Sequence, residues 1–285
     1  MSDPDTPHSR WSDLERPPLN AQALRRGLIR PGGLWTSLDV VTTTGSTNSD
    51  LAAAAVARDP RAEGAVLVAE EQTAGRGRMD RRWSAPARSG LFFSVLLTPG
   101  DAVPVQRWGW LPLLTGVAVA TAVARSAGVD TALKWPNDLL VTVGGEERKA
   151  GGILAERAGE AAVVVGIGLN VSLRAEELPV PTAGSLALAD AVSLDRDTLL
   201  RSVLRSLERW YGDWRDADGD PAASGLQEAY AAGCATLGRT VRALLPGERE
   251  LVGEAVAVDG DGRLVVATEG AGRVPVGAGD VVHLR

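Results

Sequence analysis

Short apolar runs, separated by polar or glycine-containing segments, mark the first hundred residues of the chain. Runs at 38–41, 66–69 and 91–97 have the length and the β-branched or aromatic content of buried strands. The pattern therefore predicts three strands, and it leaves residues 70–83 as a long loop between the second strand and the third. Long loops inside compact regions are usually functional or disordered.

Longer apolar stretches predict helices. Residues 51–57 are alanine-rich, and residues 107–128 are apolar on nearly every side, as in a buried helix. In the second stretch Pro112 suits the first turn and Gly128 suits the helix end. Residues 198–214 carry apolar side chains at the spacing of an amphipathic, core-facing helix.

Three apolar segments in the middle of the chain, 139–143, 153–156 and 163–171, are joined by short turns and predict an antiparallel meander. Polar residues occur at the ends of these strands, namely Asn137, Asp138, Lys149 and Asn170. Together with the small glycines beside them, they suggest a surface shaped for a ligand. The alternative for Asn137-Asp138 is a simple turn.

The pattern changes again near residue 238, where short strands alternate with glycine turns. The strands are predicted at 240–245, 250–258, 263–268, 273–276 and 281–284. The turn Asp259-Gly260-Asp261-Gly262 is a strong hairpin signal. This C-terminal pattern predicts a small β-barrel module of SH3-like size.

The length of 285 residues fits one large domain, or one large domain and one small one. Residues 1–33 contain five prolines and one weakly helical stretch, 21–28, so we expect a tail that packs on the surface or is partly disordered. The remaining predicted units are a core at 34–237 and the β-module at 238–285.

Composition narrows the class of protein. The chain is 45% hydrophobic, which is ample for a core, and no apolar run reaches the roughly 20 residues of a membrane helix. Its polar N-terminus is unlike a signal peptide, and the single cysteine, Cys234, fits a reducing cytosol, so we expect a cytoplasmic protein. A net charge of −6 argues against general nucleic-acid binding, and two histidines argue against a histidine-rich metal site.

Residues 70–83 combine four arginines with Gly75 and Gly77. Glycine lets a backbone approach a ligand closely, and the planar fork of arginine suits phosphate and carboxylate. The segment predicts a flexible loop that binds an anion and orders on it. A solvated basic loop is the alternative.

Ser46, Thr47 and Asn48 precede the predicted helix at 51–57, and each of them suits a helix N-cap. Capping alone would explain them. A helix N-terminus lined with hydroxyl groups would also suit an oxygen-rich or ureido-like ligand.

Four short motifs follow one another along the chain. They are Gly75-Arg76-Gly77-Arg78, Lys134-Trp135-Pro136-Asn137-Asp138, Lys149-Ala150-Gly151-Gly152-Ile153-Leu154-Ala155-Glu156 and Gly166-Ile167-Gly168-Leu169-Asn170. Each motif is weak alone, but in this order and spacing they resemble the biotin protein ligases over roughly residues 34–285.

The resemblance implies an α+β fold, in which helices pack on a mixed β-sheet related to the lipoate ligases and a small SH3-like β-barrel follows. It implies activation of biotin by ATP and Mg²⁺ to biotinyl-5′-AMP, then transfer of biotin to one lysine of a partner. That partner would be the biotin carboxyl carrier domain of a biotin-dependent carboxylase. We expect no nucleic-acid or membrane partner, and either a monomer or a homodimer.

The resemblance also implies roles for individual residues. Residues expected to bind biotin are Ser46, Thr47, Asn48, Gln72, Gly75, Arg76, Gly77, Arg78 and Lys149. Residues expected around ATP or the adenylate are Arg76, Arg78, Arg81, Trp83, Asn137 and Asn170. Lys149, Arg78 and Asp138 are the expected catalytic residues. Mg²⁺ would arrive with ATP, and Asp138 is its candidate protein ligand.

The implied chemistry explains these residue types. A biotin carboxylate attacking a triphosphate needs positive charge to offset the repulsion of two anions, and arginine, lysine and Mg²⁺ would supply it. Ordering of the loop would also keep water away from the reactive anhydride.

Two departures from the family pattern concern the loop. Met79-Asp80 stands where the family usually has a basic residue or histidine and then glycine, and 84–88 differs from the usual serine-proline-x-glycine form. Both departures bear on the flexibility and closed geometry of the loop. The short acidic tail argues against the N-terminal DNA-binding domain that some family members carry.

Two alternatives remain at this level. The first is a lipoate ligase or octanoyltransferase on the same kind of fold, although the arginine–glycine loop favours biotin. A transferase that uses cysteine would need its thiol in the core, whereas Cys234 is near the module boundary and is predicted to be a packing residue. The second is a biotin-sensing regulator without enzyme activity, against which the presence of Lys149 counts.

Overall fold

A seven-stranded sheet forms the centre of the protein in this computed structural model, among the residues that it describes, 15–57, 63–245, 249–277 and 279–284. The strands up to residue 170 are β1 (Ser37–Thr44), β2 (Ala65–Gln72), β3 (Gly75–Arg76), β4 (Arg82–Trp83), β5 (Gly90–Leu97), β6 (Thr131–Lys134), β7 (Asp138–Val143), β8 (Glu146–Ala158) and β9 (Ala162–Asn170). The sheet order is β1-β2-β5-β9-β8-β7-β6, and β3 and β4 form a separate hairpin. Because β1 and β2 run parallel and the other neighbours antiparallel, the sheet is mixed, as expected.

Helices cover both faces of this sheet. They are α1 (Ala21–Leu28), α2 (Thr47–Ala57), α3 (Trp110–Ala127), α4 (Arg196–Asp216) and α5 (Leu226–Gly233). Successive side chains of a strand point to opposite faces. Leu96 of β5 accordingly packs with Leu51 and Ala55 of α2, whereas Phe93 and Val95 belong to the large core beneath α3 and α4.

The long apolar stretch forms a core helix preceded by a short 3-10 turn, Val105–Gly109. Pro112 lies in the first turn of α3, and Gly128 ends the helix with a left-handed φ of 66°. Val105–Ala127 is long and apolar enough to cross a membrane by length and composition, but 67% of its apolar window is buried inside the protein, as in the core helix of a soluble protein.

Several strands are longer than the apolar pattern predicts. The strand β2 continues to Gln72, so residues 70–72 belong to the sheet and not to the loop. The strand β8 begins at Glu146, which shortens the predicted turn to Gly144-Gly145, both with positive φ. The loop expected at 70–83 is therefore mostly a short hairpin, because β3 and β4 pair with each other.

A second sheet forms the C-terminal module. It contains β10 (Thr240–Leu245), β11 (Arg249–Val258), β12 (Leu264–Thr268), β13 (Gly272–Val276) and β14 (Asp280–His283), all antiparallel, in the order β13-β12-β11-β10-β14. The predicted turn 259–262 joins β11 and β12. Trp110 and Trp135 donate their indole N–H groups to the carbonyl oxygens of Gly260 and Gly262, each at 3.0 Å. These bonds attach the module to the core.

The segment before β1 is part of the core and not only a surface tail. Leu24 and Leu28 of α1 are buried in the main hydrophobic cluster. Nearby, the buried ion pair between Glu70 and Arg196 has an N–O distance of 2.7 Å, and Glu70 also accepts the backbone N–H of Leu19 at 2.6 Å. Residues 1–14 lie outside the described residues, and the predicted boundaries at 33 and 237 stay predictions.

Candidate active site

A cavity of about 320 Å³ opens where the start of α2, the β3–β4 hairpin, strands β8 and β9, and the C-terminal module meet. The predicted residues that line it are Ser46, Thr47, Asn48, Gln72, Arg76, Gly77, Arg78, Arg81, Trp83, Asn137, Asp138 and Lys149. The fold thus brings motifs that are far apart in the sequence to one site.

A buried hydrogen-bonded network forms the end of the cavity next to α2. The backbone N–H of Thr47, in the first turn of the helix, donates to Gln72 Oε1 at 2.8 Å, so a side chain on β2 satisfies a donor that the helix leaves free. Ser94 Oγ of β5 lies 2.7 Å from Thr47 Oγ1 and 2.6 Å from Asn48 Oδ1. These side chains therefore do more than cap α2, because they form a fixed polar wall.

Arg76 of the hairpin reaches across the cavity to Glu156 on β8. Its Nη2 lies 2.9 Å from Glu156 Oε1, and Nη1 donates to Oε2 at 3.3 Å. The same Oε2 accepts the Asn48 amide at 2.9 Å. One carboxylate therefore joins the arginine of the hairpin to the polar wall beside α2.

The other loop arginines contact the C-terminal module. Arg78 donates to Asn137 Oδ1 at 3.3 Å and to the carbonyl oxygen of Gly279 at 3.1 Å. Arg81 forms an ion pair with Asp280. Burial is the largest cause that lowers the pKa of the Arg78 guanidinium from its ordinary value, while Asp138 opposes this shift. The module therefore forms part of the cavity wall and touches both arginines.

Met79 and Asp80 both adopt left-handed backbone conformations, with φ of 53° and 57°. Such φ values favour glycine and are tolerated by aspartate. The hairpin turn keeps this geometry although neither position is glycine. The first departure from the family pattern therefore lies at two positions of positive φ.

Asp138, Lys149 and Lys134 form a charged cluster at the open side of the cavity. Lys149 Nζ lies 2.6 Å from Asp138 Oδ1, outside the alignment of a regular hydrogen bond, so the contact is an ion pair. Burial lowers the pKa of the Lys134 ammonium; Asp138 raises it and Lys149 lowers it further. Lys149 pairs with Asp138, whereas Lys134 feels Asp138 and Glu147 only through space, so its ammonium is available to an anion.

Trp83 lies flat against glycines of the sheet. A Cβ added at Gly168 would lie 2.7 Å from the indole ring, and one added at Gly152 would lie 3.1 Å from it. The Trp83 Nε1 atom is buried and has no partner among the described residues. Lys149 Nζ is 5.8 Å from the ring centroid, within cation–π range. The indole therefore separates the first cavity from a neighbouring cavity of about 580 Å³.

Two predicted site residues do not line the first cavity. A Cβ at Gly75 would lie 2.5 Å from the Trp83 carbonyl oxygen, so this glycine permits the close pairing of β3 with β4 and lies behind the wall. Asn170 lines the neighbouring cavity, together with Trp83 and Lys149, and its amide donates to the carbonyl oxygen of Gly184 at 2.9 Å.

Five polar residues of the site were not predicted from the sequence, namely Arg82, Ser94, Lys134, Glu156 and Asp280. Ser94 is a polar residue in a strand that is otherwise apolar, which was an available signal. Lys134 and Glu156 belong to two of the motifs, but they were assigned no role. Asp280 gave no signal, because only the packing of the module brings it near Arg81.

A metal site built by the protein alone is not supported. Among the described residues, no group of three or more histidine, cysteine, aspartate or glutamate side chains is placed to hold a metal ion. Mg²⁺ commonly binds through one or two carboxylates together with substrate phosphates. Asp138 fits that mode as a single carboxylate next to a phosphate site, although Lys149 already neutralises it.

Comparisons with known proteins identify the family of the chain. Residues 42–172 match the biotin/lipoate A/B protein ligase family, and residues 236–284 match the biotin protein ligase C-terminal domain. A biotin--[acetyl-CoA-carboxylase] ligase from Mycobacterium tuberculosis is 46% identical over 96% of this chain and 98% of its own length. The bifunctional ligase/repressor BirA of Bacillus subtilis is 34% identical over 81% of this chain and 68% of its own length.

Among solved structures, the biotin protein ligase from Aquifex aeolicus in complex with biotin and ATP matches with a TM-score of 0.68 and 28% identity, covering 88% of this chain and all of that one. The 46% identity extends over nearly the full length of the chain, two family models match it, and its fold is shared with a biotin protein ligase of known structure. The chain therefore belongs to the biotin protein ligase family.

Proposed function

We propose that the protein is a biotin–protein ligase that uses ATP to form biotinyl-5′-AMP and then transfers biotin to a lysine of a carboxyl carrier domain. The observation that carries the proposal is a single cavity with a neutral, hydrogen-bonding wall at one end and a cluster of cationic side chains at the other. A substrate with a polar, uncharged head and a carboxylate tail fits this arrangement.

The polar wall of Thr47, Asn48, Gln72 and Ser94 suits the ureido head of biotin, which both donates and accepts hydrogen bonds. These side chains are bonded to one another before any ligand arrives, so few rotamers would need to be fixed on binding. The head would then point away from the charged cluster, and the carboxylate towards it.

The cationic cluster suits the activation step. The biotin carboxylate oxygen bonds to the α-phosphorus of ATP as the bond to pyrophosphate breaks, so the transition state brings the negative charges of two anions together. Arg78 and Lys149 would neutralise this charge, with Lys134 adjacent. Mg²⁺ bound to the triphosphate would supply further positive charge and make pyrophosphate a better leaving group.

The transfer step needs an acceptor amine that has lost its proton. Asp138 is the carboxylate that faces Lys149 at 2.6 Å, so it would orient the incoming lysine ammonium and receive its proton. The neutral amine would then attack the acyl carbon of biotinyl-5′-AMP, the bond from that carbon to the phosphate oxygen would break, and AMP would leave with the biotinyl amide formed on the carrier.

A cysteine-dependent transferase is the less supported alternative. The single cysteine, Cys234, is buried in the hydrophobic core and lines neither cavity. An acyl–enzyme on this thiol would need access that the packing does not provide.

The test is pyrophosphate release from ATP, measured with biotin, lipoate or octanoate as the acid. We expect release with biotin only. In the Lys149→Ala variant we expect the rate to fall about 10²–10³-fold, the usual loss when one contact to the developing charge is removed. Release with lipoate in place of biotin would overturn the assignment of biotin as the substrate. Wild-type rates in Lys149→Ala would overturn the role of that lysine in activation.

A further inference from the structure

A second polar groove lies between α3 and α4, on the face of the sheet opposite α2. It encloses about 510 Å³ and is lined by Arg125, Arg201, Arg205 and Arg209, five serine or threonine residues and one alanine. It shares no residue with the two cavities described above, and no carboxylate lines it. We call it the arginine groove.

Two acidic residues of α4, Asp197 and Glu208, are engaged by the segment that precedes β1 and not by the arginines of the groove. Asp197 accepts the backbone N–H of Asn20 at 3.1 Å. Glu208 accepts the backbone N–H of Leu34 at 2.9 Å and pairs with Arg30 at 3.0 Å. The N-terminal segment thus binds these two carboxylates, which are close to the arginines in sequence. The arginines of the groove form no ion pair with them.

Arg201, Arg205 and Arg209 follow one another at four-residue spacing, so they form a single stripe on α4. Like charges at this spacing destabilise a helix. Within the described parts of the chain, no acidic side chain lies within ion-pair distance of the stripe. Arg201 donates only to the Thr198 hydroxyl at 3.2 Å, and Arg205 only to the carbonyl oxygen of Gly27 at 3.1 Å.

One hydroxyl group in the groove is also left without a partner. Ser206 Oγ is buried, has no hydrogen-bond partner among the described residues, and is too enclosed to touch a ligand in the groove. What indicates an anionic ligand is the positive charge of the four arginines, with no carboxylate in the lining. A cluster of uncompensated charge in a protein of net charge −6 points the same way.

We propose that the arginine groove binds a small ligand carrying several linked phosphate groups. Guanidinium forks bind phosphate oxygens in pairs, and the neighbouring hydroxyl groups would donate to further oxygens. The arginines of the stripe are about 6 Å apart along the helix axis, so one phosphate could not reach all of them, whereas a chain of phosphates could. This chemistry is shared by free oligophosphate and by the phosphate tail of a nucleotide.

The test is calorimetric titration of the full-length protein with tripolyphosphate, ATP and orthophosphate. Three proteins are compared: the wild type, R201Q/R205Q, and the control R242Q/R273Q, which removes the same charge from the C-terminal module. Because the active-site cavity also binds phosphates, the difference between wild type and R201Q/R205Q isolates the groove. Pyrophosphate release at the wild-type rate shows that each variant is folded.

We expect tripolyphosphate to lose at least tenfold in affinity for the groove in R201Q/R205Q and less than twofold in the control. An equal loss for ATP would identify a nucleotide tail as the ligand, and a loss for tripolyphosphate alone would identify free oligophosphate. Equal affinities in the wild type and R201Q/R205Q would overturn the proposal. The proposal would also be overturned if orthophosphate bound as tightly as tripolyphosphate and lost the same affinity in R201Q/R205Q.

Discussion

Arg76 and Glu156 form a two-point ion pair across the candidate active site, with N–O distances of 2.9 and 3.3 Å. The arginine belongs to the β3–β4 hairpin and the glutamate to β8, so the pair holds the hairpin against the sheet. Glu156 also accepts the amide of Asn48. The carboxylate therefore positions one side chain from each wall of the proposed biotin site.

Glu156→Gln tests this positioning role. The amide oxygen can still accept the Asn48 N–H, but the charge that orients Arg76 is lost. A partly exposed ion pair contributes up to about 1 kcal/mol, so we expect the KM for biotin to rise about fivefold, with a smaller change in kcat. Steady-state pyrophosphate release at varied biotin concentration measures both constants. An unchanged KM would show that Arg76 needs no such support.

Asp138→Asn separates the two half-reactions. The neutral amide cannot take a proton from the acceptor lysine, so we expect transfer to a carrier domain to slow by about 10²-fold or more. Activation should change much less, because Lys149 would remain in place. Single-turnover formation of biotinyl-5′-AMP and its decay on adding carrier protein distinguish the steps. Equal losses in both would place Asp138 in activation instead.

Elements with an apolar pattern were predicted well, and their polar extensions were not. The strand β2 is the clearest case. Its apolar run ends at Ala69, but Glu70 continues the strand because Arg196 compensates its buried charge, and Gln72 continues it because it bonds to Thr47. Those partners are distant in sequence, so no local pattern could extend the strand.

The same reason limits the prediction of the site. Most of its residues belong to the motifs, and the fold brings nearly all of them to one cavity. The contacts of Arg81 with Asp280 and of Arg78 with Gly279 depend on how the C-terminal module docks on the core. That docking combines the indole bonds of Trp135 and Trp110 with the packing of module side chains such as Val281 into the main hydrophobic cluster, and such contacts have no periodic signature.

His283, in the C-terminal module, has a pKa that the fold shifts far enough to affect stability in the acidic range. Its Nδ1 is 3.2 Å from Arg239 Nη1 and its Nε2 is 3.1 Å from Thr236 Oγ1. Burial, with Lys134 and Arg239 nearby, lowers the pKa of the imidazole from 6.5 to about 4, and Glu147 opposes this shift. The folded protein therefore holds His283 neutral at pH values where the unfolded chain binds a proton.

Folding stability should accordingly fall as the pH drops from 6.5 to 4. Because the imidazole is only partly buried and solvent screens its charge, we expect His283 to account for only about 1 kcal/mol of this loss. Urea unfolding at pH 6.5 and 4.5 measures it. His283→Gln should lose less stability than the wild type over that interval. A parallel fall in both proteins would assign the pH dependence to carboxylates alone.

Gly168→Ala tests whether Trp83 must lie flat on the sheet. The added Cβ would be 2.7 Å from a rigid indole, so the ring has to move away from the wall between the two cavities. We expect the KM for ATP to rise at least tenfold while the protein stays folded, because the three atoms nearest the added Cβ all belong to the Trp83 indole and none to the backbone. Gly212→Ala is the matched control, since no atom lies within 4 Å of its added Cβ and alanine favours helix. It should raise the free energy of unfolding by up to about 1 kcal/mol and leave the KM unchanged. A Gly168→Ala enzyme with wild-type KM for ATP would remove Trp83 from the proposed nucleotide site.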